Sequence, residues 1–170
     1  HGQSKDALAK DKLGAWEYDI VEPYYKCNMT DVHAAIGLSQ LRRYHRLVER
    51  RHEIIKKYDD ALLPLGFTTL EHNGYKSKSS GHLYITRLPE KYRISRNDFI
   101  EKLAEQGVPT NVHYKPLPMH SAYKKLGFDI KDYQNAYNFY KNEVTLPLHT
   151  RLTDDQVDYV ISSIKKVLGL

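Results

Sequence analysis

The feature that most constrains this chain is a helical period that opens at Thr30 and runs for about 30 residues. Leu41, Tyr44, Val48, Ile55, Tyr58 and Leu62 recur at helical spacing, with Arg51 in the same row. Thr30 can cap the first turn, and Asp31 suits the positive end of a helix. The other face carries Arg42, Arg43, Arg46, Glu49, Arg50, Glu53, Lys56 and Lys57, and Pro64 and Gly66 end the run. Such a helix measures about 45–50 Å at 1.5 Å per residue, longer than the core of a small domain, so it is expected to cross between two bodies.

The rest of the chain is organised around it. Residues 1–29 lack a clean period and read as an irregular remnant of a neighbouring domain. Residues 30–66 are the helix, and residues 67–170 a small α+β domain. Within that domain, Phe67–Leu70 reads as β-like and Asn73–Gly81 as a polar turn region. His82–Leu88 reads as a strand, with Leu83, Ile85 and Arg87 alternating against Tyr84 and Thr86. Ser95 and Asp98 open a helix with Phe99, Ile100 and Leu103 on its apolar side, and Gly107 stops it. Val108–Tyr114 reads as an edge strand interrupted by Pro109. Lys115–His120, with Pro116 and Pro118, reads as an irregular loop. Asp132–Asn142 is predicted to be a tyrosine-rich helix and Val144–Leu148 a short strand. Thr153 and Gln156 form a capping box for a last helix whose inner face is Val157, Val160, Ile161, Ile164 and Leu168. The order implies a small antiparallel or mixed sheet with helices on one face.

Composition narrows the function classes. The length of 170 residues with 41% apolar residues is enough for one core. A net charge of +5 is compatible with anionic ligands. One cysteine, Cys27, excludes an internal disulfide and a thiolate-based metal cluster. A cytoplasmic setting is expected. No apolar run approaches the roughly 20 residues of a membrane span. Among the nine histidines no pair stands at i, i+2 or i, i+4. His45 and His52 share a helix face about 10 Å apart, too far for one ion. No metal site is expected.

Three blocks resemble the DegT/StrS family of sugar aminotransferases. The first is Tyr25-Lys26-Cys27-Asn28-Met29-Thr30-Asp31, followed by Ala34-Ala35-Ile36-Gly37-Leu38 and Gln40-Leu41. The second is Gly107, Pro109, Thr110, His113-Tyr114 and Pro116-Leu117, then Ala122-Tyr123. The third is Leu146-Pro147-Leu148-His149 leading into Leu152-Thr153. They fall in the family's order and at its spacing, from about Glu22 to the end. The chain departs from the pattern at Tyr24, often glycine in the family, and at Cys27, often aromatic. It departs also at His33, commonly glutamine, and at Pro118, where many relatives carry a histidine that His120 stands near.

The resemblance implies the C-terminal part of a fold type I aminotransferase: a large domain that holds pyridoxal 5'-phosphate, a long joining helix and a small domain. It implies a homodimer with shared active sites and a Schiff-base lysine upstream of His1. The isolated chain is then expected to be inactive. Trp16, Tyr18, Ile20, Tyr24, Val32, Ala35, Ile36 and Leu38 would pack on the large domain. The implied reaction moves an amino group, with glutamate as donor, onto a nucleotide-linked keto-sugar. The resemblance makes Asn28 a ligand of the cofactor phosphate in the neighbouring subunit, where an amide N–H beside a helix N-terminus suits an anion. It places His113, Tyr114, Lys115 and His120 near the nucleotide-sugar substrate. Without it, Asn28 reads as a loop end and His113–Lys115 as exposed polar groups after a strand. Lys26 and Arg87 can meet a substrate diphosphate or stand as solvated surface charges.

A rival reading is a non-catalytic binding or regulatory module that takes nucleic acid on the basic helix face. That face has no interleaved aromatics, and Glu49 and Glu53 interrupt it. Glu49, Glu53 and Lys57 read more simply as a salt-bridged surface.

Overall fold

Helix α1 (Asp31–Leu62) forms where the period predicts it. The Thr30 hydroxyl accepts from the His33 N–H at 3.3 Å, which satisfies one of the free donors of the first turn. A 3-10 turn over Leu63–Leu65 closes the other end, with Gly66 at φ +88°. The computed structural model describes residues 19–170, so the readings made for Trp16 and Tyr18 lie outside the described residues.

The chain divides into two compact units at Arg43 and Tyr44, within the helix. In the first unit the apolar side chains are open: Tyr24 is 68% exposed, Val32 69%, Ile36 56% and Leu38 57%. This is the apolar set expected to need a neighbour.

The second unit, Tyr44–Leu170, contains the core. Ile54, Ile55, Tyr58 and Leu62 from α1 are buried there. Ile54 lies one position off the predicted row and is fully buried. A three-stranded antiparallel sheet runs in the order β1 (Thr68–Thr69), β4 (Tyr84–Arg87), β5 (Glu143–Leu146). Tyr84 pairs with Leu146 and Thr86 with Val144, and this face lies in the core. Helix α2 (Arg96–Glu105) is capped by Ser95, whose hydroxyl accepts from Asp98 N–H at 3.1 Å. It buries Phe99 and Leu103. Helix α5 (Asp154–Leu168) has the capping box of Thr153 and Gln156 and buries Val157, Val160 and Ile164.

Several local expectations are corrected. Val108–Tyr114 is not a strand: only Asn111 pairs, in a single bridge to Thr145. The Asn73–Gly81 region contains a hairpin, β2 (Asn73–Gly74) with β3 (Ser77–Lys78). Lys115–His120 contains a 3-10 turn over Leu117–Met119, followed by a short helix, α3 (Ser121–Lys125). The tyrosine-rich helix is shorter than predicted, α4 (Gln134–Tyr140), after a 3-10 turn over Ile130–Asp132. Glu53 pairs with Arg50 at 3.0 Å, and Lys57 pairs with Asp158 on α5, also at 3.0 Å. Part of the basic helix face is therefore structural.

Candidate functional site

Two segments of the second unit meet at the edge of the sheet. Strand β5 alternates, so Val144 and Leu146 point into the core while Glu143 and Thr145 share the other face. Both polar residues are nevertheless buried, Glu143 completely. The chain after α2 returns along the free edge of β5. There Asn111 N–H donates to the Thr145 carbonyl at 3.1 Å, and Thr145 N–H donates back at 2.8 Å. That bridge sets down His113 against the polar face of β5.

His113 is held twice. Its backbone N–H donates to Glu143 Oε2 at 3.0 Å, and its ring Nδ1 lies 2.9 Å from Thr145 Oγ1. Thr145 Oγ1 in turn donates to Glu143 Oε1 at 2.6 Å. The peptide bond between His113 and Tyr114 is cis. Tyr114 is 74% exposed, and its ring stands edge-on to the His113 imidazole at 4.5 Å. Lys115 is exposed. His120 Nε2 lies 3.3 Å from the Lys115 carbonyl, which can only accept, so His120 closes its own loop. Beside the loop, Pro116, Leu117, Pro118, Tyr123, Phe128, Tyr133 and Ala136 line an apolar pocket of about 350 Å³.

The remaining sequence candidates separate. Asn28, Lys26 and Cys27 are exposed in the first unit, before the cap of α1. Arg87 is half-buried: its Nη2 donates to the Asn138 carbonyl at 3.3 Å, and its guanidinium stands 5.8 Å from the Phe139 ring. Glu143 and Thr145 were not among the sequence candidates. The one signal for them is a glutamate placed at the head of an apolar strand. Among the described residues no group of three or more His, Cys, Asp or Glu is arranged to hold a metal. No described helix is long and apolar enough to cross a membrane.

The whole chain has relatives of known description. It is similar to the putative sugar aminotransferase Spr1654 from Streptococcus pneumoniae in its PMP form. Identity is 52% and TM-score 0.81, over 99% of this chain and 42% of that one. The PLP form of the same protein matches at 48% identity and TM-score 0.79, over 99% of this chain and 41% of that one. The spore coat polysaccharide biosynthesis protein SpsC of Bacillus subtilis is 35% identical, over 99% of this chain and 44% of that protein. The UDP-4-amino-4,6-dideoxy-N-acetyl-beta-L-altrosamine transaminase of Campylobacter jejuni is 36% identical, over 95% of this chain and 42% of that protein. The chain spans less than half the length of these relatives and matches the C-terminal portion of sugar aminotransferases. Residues 1–165 match the family description, and the chain belongs to the DegT/DnrJ/EryC1/StrS aminotransferase family.

Proposed function

We propose that the full-length parent of this chain transfers an amino group from glutamate onto a keto-sugar linked to a nucleotide. It works as a cytoplasmic homodimer with pyridoxal 5'-phosphate. The observation that carries this reading is the similarity, along 95% of the chain, to an enzyme described as a nucleotide-sugar transaminase. When bound, the cofactor withdraws electron density from the bonds being broken and carries the amino group from donor to acceptor.

The residues of this chain fit such a group. Asn28 is an exposed amide two residues before the helix cap Thr30, and Asp31 begins the 32-residue helix. Its N–H₂ would donate to the cofactor phosphate across the dimer, near the positive end of α1. His113, Tyr114 and Lys115 would take the substrate. The imidazole accepts from a sugar hydroxyl, the open phenol ring offers a flat face, and the ammonium meets the diphosphate. His120 stiffens the loop that presents them. Holding these groups before the substrate arrives lowers the entropy lost on binding.

The test is product formation by the full-length parent with glutamate and a panel of nucleotide-linked keto-sugars, followed by mass spectrometry. An amino-sugar nucleotide is expected. Amination of free keto acids alone would contradict the proposal.

A further inference from the structure

Glu143 is completely buried, and among the described residues no lysine or arginine lies within ion-pairing distance of its carboxylate. Two donors converge on it instead. The His113 backbone N–H can only donate, so its 3.0 Å bond to Oε2 has a fixed direction. The second is Thr145 Oγ1, which donates its single proton to Oε1 at 2.6 Å. The threonine oxygen then has only lone pairs to offer. Its 2.9 Å contact with His113 Nδ1 requires the proton to sit on Nδ1. Among the described residues the other ring nitrogen, Nε2, makes no hydrogen bond. Two cations of neighbouring elements are directed elsewhere. Arg96 Nη1 donates to the Glu143 main-chain carbonyl at 3.5 Å, and Arg87, across the strand pair, donates to the Asn138 carbonyl.

We propose that Glu143, acting through Thr145, is a positioning residue that fixes His113 as the Nδ1–H tautomer. Nε2 is thereby presented as an acceptor for a hydroxyl of the nucleotide-sugar. The hydroxyl clause rests on the reading of His113 as a substrate-binding residue; the tautomer does not. The relay has one other proton pattern. A proton on Glu143 Oε1 would donate to Thr145, Thr145 would donate to Nδ1, and Nε2 would carry the hydrogen. The two patterns give His113 opposite hydrogen-bonding character.

Nitrogen-15 NMR of the histidine-labelled chain separates them, with His113 assigned by the signal lost in His113→Gln. Wild-type His113 is expected to show a protonated Nδ1 and a bare Nε2. Glu143→Gln is expected to reverse this. Its amide oxygen must still accept from the His113 N–H, so its NH₂ faces Thr145 and the threonine proton turns to Nδ1. Thr145→Val deletes the relay and is expected to give a mixture of tautomers. A hydrogen on Nε2 in the wild type overturns the proposal without any variant. An unchanged tautomer in a folded Glu143→Gln chain overturns it as well.

In the full-length parent, Glu143→Gln is expected to raise KM for the nucleotide-sugar by about tenfold and to leave KM for glutamate unchanged. Equal losses for both substrates overturn the hydroxyl clause. A parent that aminates no nucleotide-sugar, with the tautomer as expected, removes that clause together with the functional reading and leaves the positioning role supported.

Discussion

Arg50 on α1 and Asp154 on α5 meet at 2.8 Å, and the same Arg50 Nη2 donates to the Leu152 carbonyl at 2.7 Å. One guanidinium therefore ties the long helix to the start of the last one. Arg50→Met is expected to lower stability by about 1 kcal/mol, mainly through the half-buried bond to Leu152. Asp154→Asn should matter less, because the carboxylate is exposed. Arg50, then Lys57, holds the Asp154 carboxyl below its ordinary value. Its contribution is thus present above about pH 3.9 and is lost as pH falls through the lower folded value. Urea unfolding of both variants at pH 7 and in the acid range checks this order. A larger loss for Asp154→Asn at pH 7 would contradict it.

His72 supplies a second pH dependence. Its ring is buried, stacked on Tyr84 at 6.4 Å, with Nδ1 3.1 Å from Ser79 Oγ and no partner for Nε2 among the described residues. Burial lowers its pKa, with Asp59 opposing and His52 adding to the shift. The unfolded chain binds the proton first, near the ordinary value of about 6.5. The contribution is full above that pH and is lost as pH falls through the folded value. His72→Phe keeps the stacked ring and is expected to flatten the loss of stability below about pH 6.5. Equal slopes for variant and wild type, read from urea midpoints across that range, would rule the histidine out.

Much of this architecture was legible because its signals are local. Thr30, Ser95 and Thr153 each reach a donor three residues away, so spacing alone exposes the cap. The face of α2 repeats within a few turns. The site was legible only in part. Glu143 finds its donor at His113, 30 residues distant, and no period links them. Val108–Tyr114 has the residues of a strand, but Pro109 has no N–H to give and only Asn111 engages β5. Ile54 lies off the predicted row because α1 packs on more than one row of side chains, so its buried stripe is wider than a single row.

Two glycines separate backbone strain from packing. Gly81 has φ +62°, and a Cβ there would lie 3.0 Å from Ile55 Cδ1 and 3.1 Å from Arg51 Cβ. Gly107 has φ +73° with open space around it. Gly81→Ala is expected to cost about 2–4 kcal/mol, combining left-handed strain with overpacking, and Gly107→Ala about 1–2 kcal/mol. Equal losses in urea unfolding would show that the Ile55 contact yields freely.

Asn28→Ala in the full-length parent is expected to weaken retention of pyridoxal phosphate by roughly ten- to a hundredfold. A hydrogen bond to a charged group is worth about 1.5–3 kcal/mol. Equilibrium dialysis with absorbance detection reads the change. Unaltered affinity would take Asn28 out of the cofactor site.

The proposed reaction carries an amino group from glutamate to a nucleotide-linked keto-sugar in two separable halves. The most direct measurement is the absorbance of the cofactor in the full-length enzyme, followed through two additions. Glutamate alone is expected to shift the spectrum and release 2-oxoglutarate. After glutamate is removed, a nucleotide-linked keto-sugar is expected to restore the original spectrum and yield the amino-sugar nucleotide, in a ping-pong pattern. A spectrum that glutamate shifts but that free keto acids restore and no nucleotide-linked keto-sugar does would exclude the proposed acceptor.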